Sequence, residues 1–314
     1  MRWRLIVACV VSTVGIAAAQ QPAPDAARVL ADMRQALGGE AALNAVQTFS
    51  VGGSLRANMG ERLVDWDIEL LCELPDKCIR ERTQTGIPGG GFTMTDGYSG
   101  SDPIRRIDAH GRPGPKDMAV PPMTPDMMAA RKLAAANRQK EEFARLTLAL
   151  FGASLSAFPL ELTSGGPDQL DGRAMEAIEA KGARGFSVRL LVDAQTHLPA
   201  ALVWKAPPLA VMTTPSIVTT RNGQVVNSTP PAVDTPKSLP PGSVLVNGPP
   251  TPGLIEGLAK VEHRFVFGDF RKSGDVTWPR KIRHDVDGQL SEEWHFGSFS
   301  INPKIDPRRF DPSR

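Results

Sequence analysis

The chain has 314 residues, with 36 Lys or Arg against 34 Asp or Glu and a formal net charge of +2. A nearly neutral chain has no global field that attracts nucleic acid or anionic membrane surfaces, which disfavours both as partners. Aromatic residues make up 6% of the chain, whereas its 28 prolines and 29 glycines favour turns and strands over a helical bundle. The length suffices for one large domain or two small ones.

The first nineteen residues have the pattern of a secretory signal peptide. Arg2 and Arg4 precede a continuous apolar run from Leu5 to Ile16, and three alanines follow it. This order of basic, apolar and small residues is typical of a cleaved export signal, and the run is shorter than the roughly 20 residues of a membrane span. We therefore predict a periplasmic or secreted protein that is cleaved after Ala19 and has no transmembrane segment in the mature chain.

The three cysteines differ in their context. Cys9 lies in the leader, where an alternative interpretation makes it the acylated first residue of a lipoprotein. Cleavage there would leave too short an apolar region for export, so we favour cleavage after Ala19. Cys72 and Cys78 remain as a pair in an oxidising compartment, separated by a Pro-Asp turn signal between two strand-like runs. We predict a disulfide between them rather than two buried thiols or a metal pair, because no His lies nearby.

Helix signals occur at three places along the chain. A helix capped by Asp25 is predicted to end at Gly38-Gly39, and a short helix over Glu40–Val46 follows it. One long helix is predicted from Asp126 to Phe151, where Gly152 can end it.

The remaining regular patterns are those of strands, with one dry face and one polar face. From Val64 to Cys72, for example, apolar residues alternate with acidic ones. In the C-terminal part we predict a three-stranded meander in which Leu290, Trp294 and Phe296 share one face, with Glu292 as its polar exception. The predicted strands cover residues 64–72, 78–85, 92–95, 104–109, 174–181, 186–193, 198–204, 261–267, 281–286 and 290–296.

Residues 206–253 interrupt this strand pattern. They are rich in Pro, Ser, Thr and Asn and have little periodicity, so they bury too little apolar surface to offset the entropy of ordering. We predict a flexible Pro-rich insertion at 206–253. Because it splits strands that look like parts of one sheet, we predict that residues 20–314 form a single domain after the signal peptide at 1–19.

Signals of catalysis and of metal binding are weak. No GxSxG, phosphate-loop or HExxH motif occurs, so we predict no catalytic residue, no cofactor and no metal. His263, His284 and His295 lie on neighbouring strands, but the alternation places His295 on the opposite face. We interpret all three as ordinary sheet histidines, and Glu292–Glu293 as part of the solvated outer face.

The apolar faces of the strands are more informative. A strongly curved antiparallel sheet has a concave side that helices or a ligand must fill. The predicted filler is the N-terminal helix with the Met-bearing segment Met118, Met123, Met127 and Met128, since methionine adapts to irregular apolar shapes that include lipid tails. Two interpretations stay open, namely a core in which Met fills gaps and a ligand cavity.

Several short motifs occur in an order that is found elsewhere. They are Leu37-Gly38-Gly39, the run Pro75–Arg82, Asp96-Gly97, the hairpin Asp193–Pro199 and the closing Ile305-Asp306-Pro307. Together they resemble the periplasmic lipoprotein-carrier (LolA/LolB-like) superfamily, from Asp25 to Pro312 without the insertion. The resemblance implies an α+β, mainly β fold, in which a curved antiparallel sheet forms a half-open barrel. It also implies an N-terminal and a long helix on the concave face and an apolar cavity for acyl chains. The chain differs from the carriers in its greater length, its insertion and its cysteine pair.

From this resemblance and the apolar faces we predict non-catalytic binding of a lipid or another apolar ligand, with the long helix and its Met-rich approach as a lid. The predicted ligand-binding residues are Trp66, Ile68, Leu70, Met127, Phe265, Phe267, Trp294 and Phe296. One alternative is an envelope protein-interaction or stress-sensing module that contacts its partner through 206–253, because related folds include such sensors. Another is a hydrolase with unidentified catalytic residues.

Overall fold

The computed structural model describes residues 25–60, 62–84, 91–109, 124–208, 210–214, 218–221, 224–227, 239–247 and 258–313. The predicted leader with its cleavage site after Ala19, and the methionines Met118 and Met123, lie outside these residues. The helices are α1 (Ala26–Ala36), α2 (Glu40–Asn44) and α3 (Pro125–Phe151). No helix in the described part of the chain is both long and apolar enough to cross a membrane.

Strands make up most of the remaining structure. In chain order they are β1 (Thr48–Asn58), β2 (Leu63–Glu73), β3 (Lys77–Gln84), β4 (Phe92–Ser99), β5 (Asp102–Ala109), β6 (Glu161–Leu170), β7 (Arg173–Lys181), β8 (Ser187–Asp193), β9 (Pro199–Ala206), β10 (Ala210–Thr214), β11 (Val218–Arg221), β12 (Gln224–Asn227), β13 (Ser243–Asn247), β14 (Val261–Ser273), β15 (Val276–Val286) and β16 (Gln289–Ile301). Two short 3-10 turns, Ala183–Gly185 and Pro307–Phe310, complete the regular elements.

Twelve of the strands form one antiparallel sheet in the order β5-β4-β3-β2-β1-β16-β15-β14-β9-β8-β7-β6. The first strand of the chain pairs with the last, so that Leu55 lies opposite Trp294. The edge strands β5 and β6 do not pair with each other, and the sheet is therefore open. This mainly β, half-open architecture, with two helices against one face, confirms the fold class predicted from the sequence.

Glycine allows the sheet to bend at the pairing of β1 with β16. The register shifts between Gly52 and Gly53, which is a β-bulge. A Cβ on Gly53 would lie 2.0 Å from the backbone carbonyl oxygen of His295, so only glycine permits this approach. The bulge bends the central strands and helps to give the sheet its concave side.

A second shift of register corrects one prediction. Between β15 and β16, His284 pairs with Glu292 but Asp285 pairs with Leu290, so Ser291 has no opposite residue. The extra residue moves Leu290 off the face that carries Trp294, and its side chain is 42% exposed. The prediction that Leu290 shares that face is wrong, because strict alternation cannot anticipate a bulge.

The boundaries of the helices follow from their caps. The carboxylate of Asp25 accepts a hydrogen bond from the backbone N–H of Ala27 and so caps α1 as predicted. Thr124 caps α3 through the N–H of Met127, and α3 ends where Gly152 adopts the left-handed conformation with φ 58°. Both helices agree with the sequence prediction to within a residue or two.

The main core lies between the concave face of the sheet and the helices α1 and α3. Only the second part of α3 enters it, and Phe143 to Phe151 are almost all buried. Trp278 packs there against Phe49 and Phe151, with ring centroids 5.7 and 5.9 Å away. The first part of α3 is exposed.

The cysteine pair lies on the core side of the β2–β3 hairpin. Cys72 and Cys78 are directly opposite each other in the register and form a disulfide, in agreement with the prediction. On the other side of the same hairpin, Phe310 of the C-terminal turn is buried against Leu71 and Ile79. The chain end therefore packs on the outer face of the sheet.

The region between β9 and β14 contains further strands. Among its described residues, β10 pairs in parallel with β13, and β11 pairs antiparallel with β12. Neither pair joins the large sheet, in which β9 and β14 are direct neighbours. The flexible character predicted for 206–253 and the single domain predicted for 20–314 stay predictions.

Candidate functional site

The residues predicted to bind a ligand occupy one face of the sheet, with one exception. Six of them are buried in the main core on β2, β14 and β16, namely Ile68, Leu70, Phe265, Phe267, Trp294 and Phe296. Trp66 is half-buried and makes an edge-to-face contact with Phe92 at 5.3 Å. Met127 does not join them, because its side chain in the first turn of α3 is 57% exposed. The structure thus forms a continuous apolar and aromatic wall under α3.

Charged side chains lie among this apolar wall. Arg80 and Arg82 project from β3 to the same side as Cys78. Arg82 donates a hydrogen bond to Asp96 at 3.0 Å, and Arg80 donates one to Glu142 of α3. The Arg80 guanidinium also lies 5.9 Å from the centre of the Trp294 ring, although two strands separate β3 from β16 in the sheet. The curvature of the sheet therefore brings distant strands together around these charges.

Glu292 is the central carboxylate of this cluster. Its Oε2 accepts a hydrogen bond from the indole N–H of Trp294 at 2.9 Å and lies 3.9 Å from Nδ1 of His284. Burial raises the pKa of Glu292, but His284, Arg80 and Arg82 outweigh burial and lower this pKa to about 2. The interpretation of Glu292 as part of the solvated outer face is wrong, because the register places it opposite His284 on the concave side.

Two of the three histidines converge. Nδ1 of His263 lies 3.0 Å from Nε2 of His284, and both rings stack against Trp204 with centroids 5.2 and 5.9 Å away. Burial, with a smaller contribution from His284, lowers the pKa of His263 to about 4, so its imidazole is neutral near pH 7. His295 lies apart and pairs with Glu293 on the outer face at 2.6 Å. Among the described residues, no group of three or more His, Cys, Asp or Glu side chains is arranged to hold a metal.

Arg145 is the cationic residue that α3 adds to the cluster. The guanidinium carbon lies 4.7 Å from the centre of the Phe186 ring and 5.1 Å from that of Trp204, so the cation occupies an aromatic slot. Burial lowers the pKa of Arg145. This slot lies at the β8–β9 side of the site, next to the histidine pair.

Ion pairs hold α3 to the sheet at several separate points. Lys132 pairs with Asp102 in the β4–β5 hairpin at 2.7 Å, and Glu141 pairs with Arg184 at 3.1 Å. The pair between Arg80 and Glu142 follows at the next position of the helix, directly after Glu141. The long helix therefore covers the wall through polar contacts as well as through its buried apolar end.

Sequence reasoning missed Arg80, Arg82 and Arg145, although one signal for the first two was present. A cross-strand disulfide puts both cysteines on the same face, and Cys72 shares the dry face of Ile68 and Leu70. Period-two alternation from Cys78 then places Arg80 and Arg82 on that dry face as well. The alternation that located the apolar wall could therefore have located these two charges within it.

A second concave region lies around the bulge of β1 and β16. It consists of two adjoining grooves of 310 and 460 Å³ that share Arg280, Phe296 and Gly297 in their lining. The guanidinium of Arg280 already donates to the carbonyl oxygens of Phe296 and Gly297, at 2.9 and 3.3 Å. These contacts hold Arg280 in the groove as a structural residue.

No protein-family model matches the chain, and no curated protein matches it. Among solved structures, it is similar to a LolA superfamily protein from Nitrosomonas europaea, with 10% identity and a TM-score of 0.44 over 92% of this chain and 98% of that one. A DUF1329 family protein from Desulfovibrio piger is 8% identical, with a TM-score of 0.45 over 92% and 99% of the two chains. An outer membrane lipoprotein-sorting protein domain from Vibrio parahaemolyticus is 9% identical, with a TM-score of 0.43 over 90% and 95%. These three structures are similar to the chain in fold.

Proposed function

We propose that the protein is an exported, non-catalytic binding protein for a lipid or another apolar ligand, which it holds between the concave face of the sheet and α3. The observation that carries this proposal is the continuous apolar and aromatic wall, which one helix covers with ion pairs at Lys132, Glu141 and Glu142 and with its buried C-terminal end. The ion pair between Lys132 and Asp102 is exposed, so it can be exchanged for contacts with water at small cost when the helix moves.

The division of α3 supports a lid. Its last third is anchored by buried side chains such as Phe143 and Phe151, whereas Met127, Met128 and Leu133 at its beginning are each at least 50% exposed. When α3 lifts, the exposed methionines can pack against an entering acyl chain, to whose shape they adapt. Each methylene that passes from water to the wall contributes about 0.8 kcal/mol.

Export is the second part of the proposal. It rests on the basic, apolar and small pattern of residues 1–19, together with a disulfide that suits an oxidising compartment. Expression of the full chain in a bacterium should yield a periplasmic form whose mass corresponds to cleavage after Ala19. A mass that still includes the leader would contradict the proposed export with cleavage after Ala19.

A crosslink between the helix and the sheet tests the lid. We expect the variant with Asp102→Cys and Lys132→Cys, joined by a short bis-maleimide, to take up a fluorescent fatty-acyl probe at least about tenfold more slowly than before the reaction. The ion pair between these two side chains shows that they lie within reach of such a linker. Lys132→Cys alone, treated with the same reagent, is the matched control and should keep the normal rate.

The same experiment can contradict the proposal in two ways. If the crosslinked protein takes up the probe as fast as the control, α3 is not the lid. If neither the wild-type protein nor any variant binds the probe, the wall is an ordinary core and the binding function is wrong.

A further inference from the structure

We infer that the ligand carries an anionic head, a carboxylate or a phosphate, and that the guanidinium of Arg145 binds this head. The inference rests on the proposed function, and it names the chemistry that the site selects. The cations of the site differ in whether a carboxylate pairs with them.

Three other arginines at α3 each have a carboxylate partner. Arg80 pairs with Glu142, Arg82 with Asp96 and Arg184 with Glu141. Within the described residues, no carboxylate lies at ion-pairing distance from Arg145, and no acceptor meets its buried Nε. The two acidic residues one helical turn before it, Glu141 and Glu142, already bind other arginines.

The aromatic slot orients the free cation. Phe186 and Trp204 contact the guanidinium carbon at 4.7 and 5.1 Å, and its buried Nε has no hydrogen-bond partner among the described residues. A planar guanidinium whose edge is free binds carboxylate or phosphate oxygens through two parallel hydrogen bonds. Cation–π contact compensates only part of the cost of burying a charge, so an anion at this edge stabilises the site.

The surroundings of the slot fit an amphiphile with one chain. Directly beyond Phe186 and Trp204, the wall continues through Val188, Leu190 and Leu202, each at most 1% exposed. Since these side chains are covered, the tail of a head bound by Arg145 reaches the apolar strands β8 and β9 only when α3 moves away from them. A free inorganic anion would use only the polar end of this arrangement.

The test compares heads on a constant tail. The purified, delipidated full chain is titrated with a fatty acid, an alkyl phosphate and an alkanol of equal chain length, and binding is followed by calorimetry. We expect at least one anionic probe to bind about tenfold or more tighter than the alkanol, as a charge-assisted hydrogen bond would give. The tighter of the two anionic probes identifies the head as carboxylate or phosphate, and inorganic phosphate alone shows whether the tail is required.

Matched variants locate the effect at Arg145. Arg145→Gln should abolish the preference for the anionic probes over the alkanol, whereas Arg145→Lys should keep part of the preference. Arg184→Gln is the control, since Arg184 also lies over an aromatic ring, that of Phe158 at 5.6 Å, but has a carboxylate partner. Thermal unfolding of each variant checks that it is folded.

Each outcome decides one of the two proposals. Equal affinities of wild-type protein for all three probes, or a preference that survives in Arg145→Gln, would overturn the inference but leave the binding of apolar ligands intact. Binding of inorganic phosphate as tightly as of the alkyl phosphate would overturn the role of the tail. If no probe with a tail binds, the proposed function fails and the inference fails with it.

Discussion

Glu292 illustrates how single residues give the concave face its character. One carboxylate accepts the indole hydrogen bond of Trp294 and faces His284, Arg80 and Arg82, so it connects side chains of β3, β15 and β16. Its neighbour Glu293 points the other way and pairs with Lys281 on the outer face at 2.9 Å. The two adjacent glutamates therefore have opposite environments.

This contrast predicts different costs of neutralisation. Glu292→Gln removes the carboxylate charge that faces His284, Arg80 and Arg82 inside the site and should lower the free energy of unfolding by about 3 kcal/mol at pH 7. Glu293→Gln removes an outer-face ion pair and should cost less than about 1 kcal/mol. Urea denaturation of both variants measures the difference, and equal costs would place Glu292 in an exposed environment.

The difference in unfolding free energy between the wild-type protein and Glu292→Gln should depend on pH. The pKa of Glu292 falls from 4.5 in the unfolded chain to about 2 in the folded protein, so the folded state binds fewer protons. The contribution of the ionised carboxylate is complete above pH 4.5 and is lost as the pH falls towards 2. The difference in unfolding free energy between wild type and Glu292→Gln should therefore shrink across this window, whereas a constant difference would contradict the lowered pKa.

At the scale of elements, the end of α3 is fixed by contact with α1 and α2. The guanidinium of Arg34 donates to the carbonyl oxygen of Phe151 at 2.6 Å and also binds Glu40 and Asn44. Gly152 follows in the left-handed conformation, and a Cβ there would lie 2.9 Å from Cγ of Arg34. Helix α3 is therefore anchored at its C-terminal end, so the proposed lid motion would involve its opposite end.

A pair of glycine substitutions tests this anchor. Gly172 also has a positive φ, 77°, but no atom lies within 4 Å of the place where its Cβ would be. Gly172→Ala should cost only the left-handed strain of about 1 kcal/mol, whereas Gly152→Ala should cost about 1 kcal/mol more because Arg34 must shift. Chemical denaturation of the two variants provides the comparison, and equal losses would show that Arg34 does not restrict the helix end.

Local signals predict individual elements well. Asp25 and Gly152 define helix ends because a cap is a property of a few adjacent residues. The β14–β16 meander is predictable for the same reason, since its turns and alternation are local. The prediction for Leu290 fails because the bulge at Ser291 moves the side chains that precede it in β16 to the opposite face of the sheet.

For the whole molecule, the sequence predicts the apolar wall but only part of what lies within it. Trp66, Ile68 and Phe265 are recognisable from alternation alone. The meeting of Arg80 with Trp294 depends on the pairing of β1 with β16 and on the curvature of the sheet, which are long-range properties. The aromatic slot of Arg145 likewise forms only because α3 packs against strands that are distant from it in the chain, so no local sequence pattern predicts this slot.

The central claim is that an apolar ligand occupies the space between the sheet and α3. The most direct test is native mass spectrometry of the exported full chain, purified without detergent, followed by organic extraction and identification of what is released. We predict a bound species that has an apolar chain and an anionic head, released on unfolding and present at up to one per protein molecule. A protein that carries no such species, and that gains none when incubated with fatty acid or alkyl phosphate, would contradict the claim.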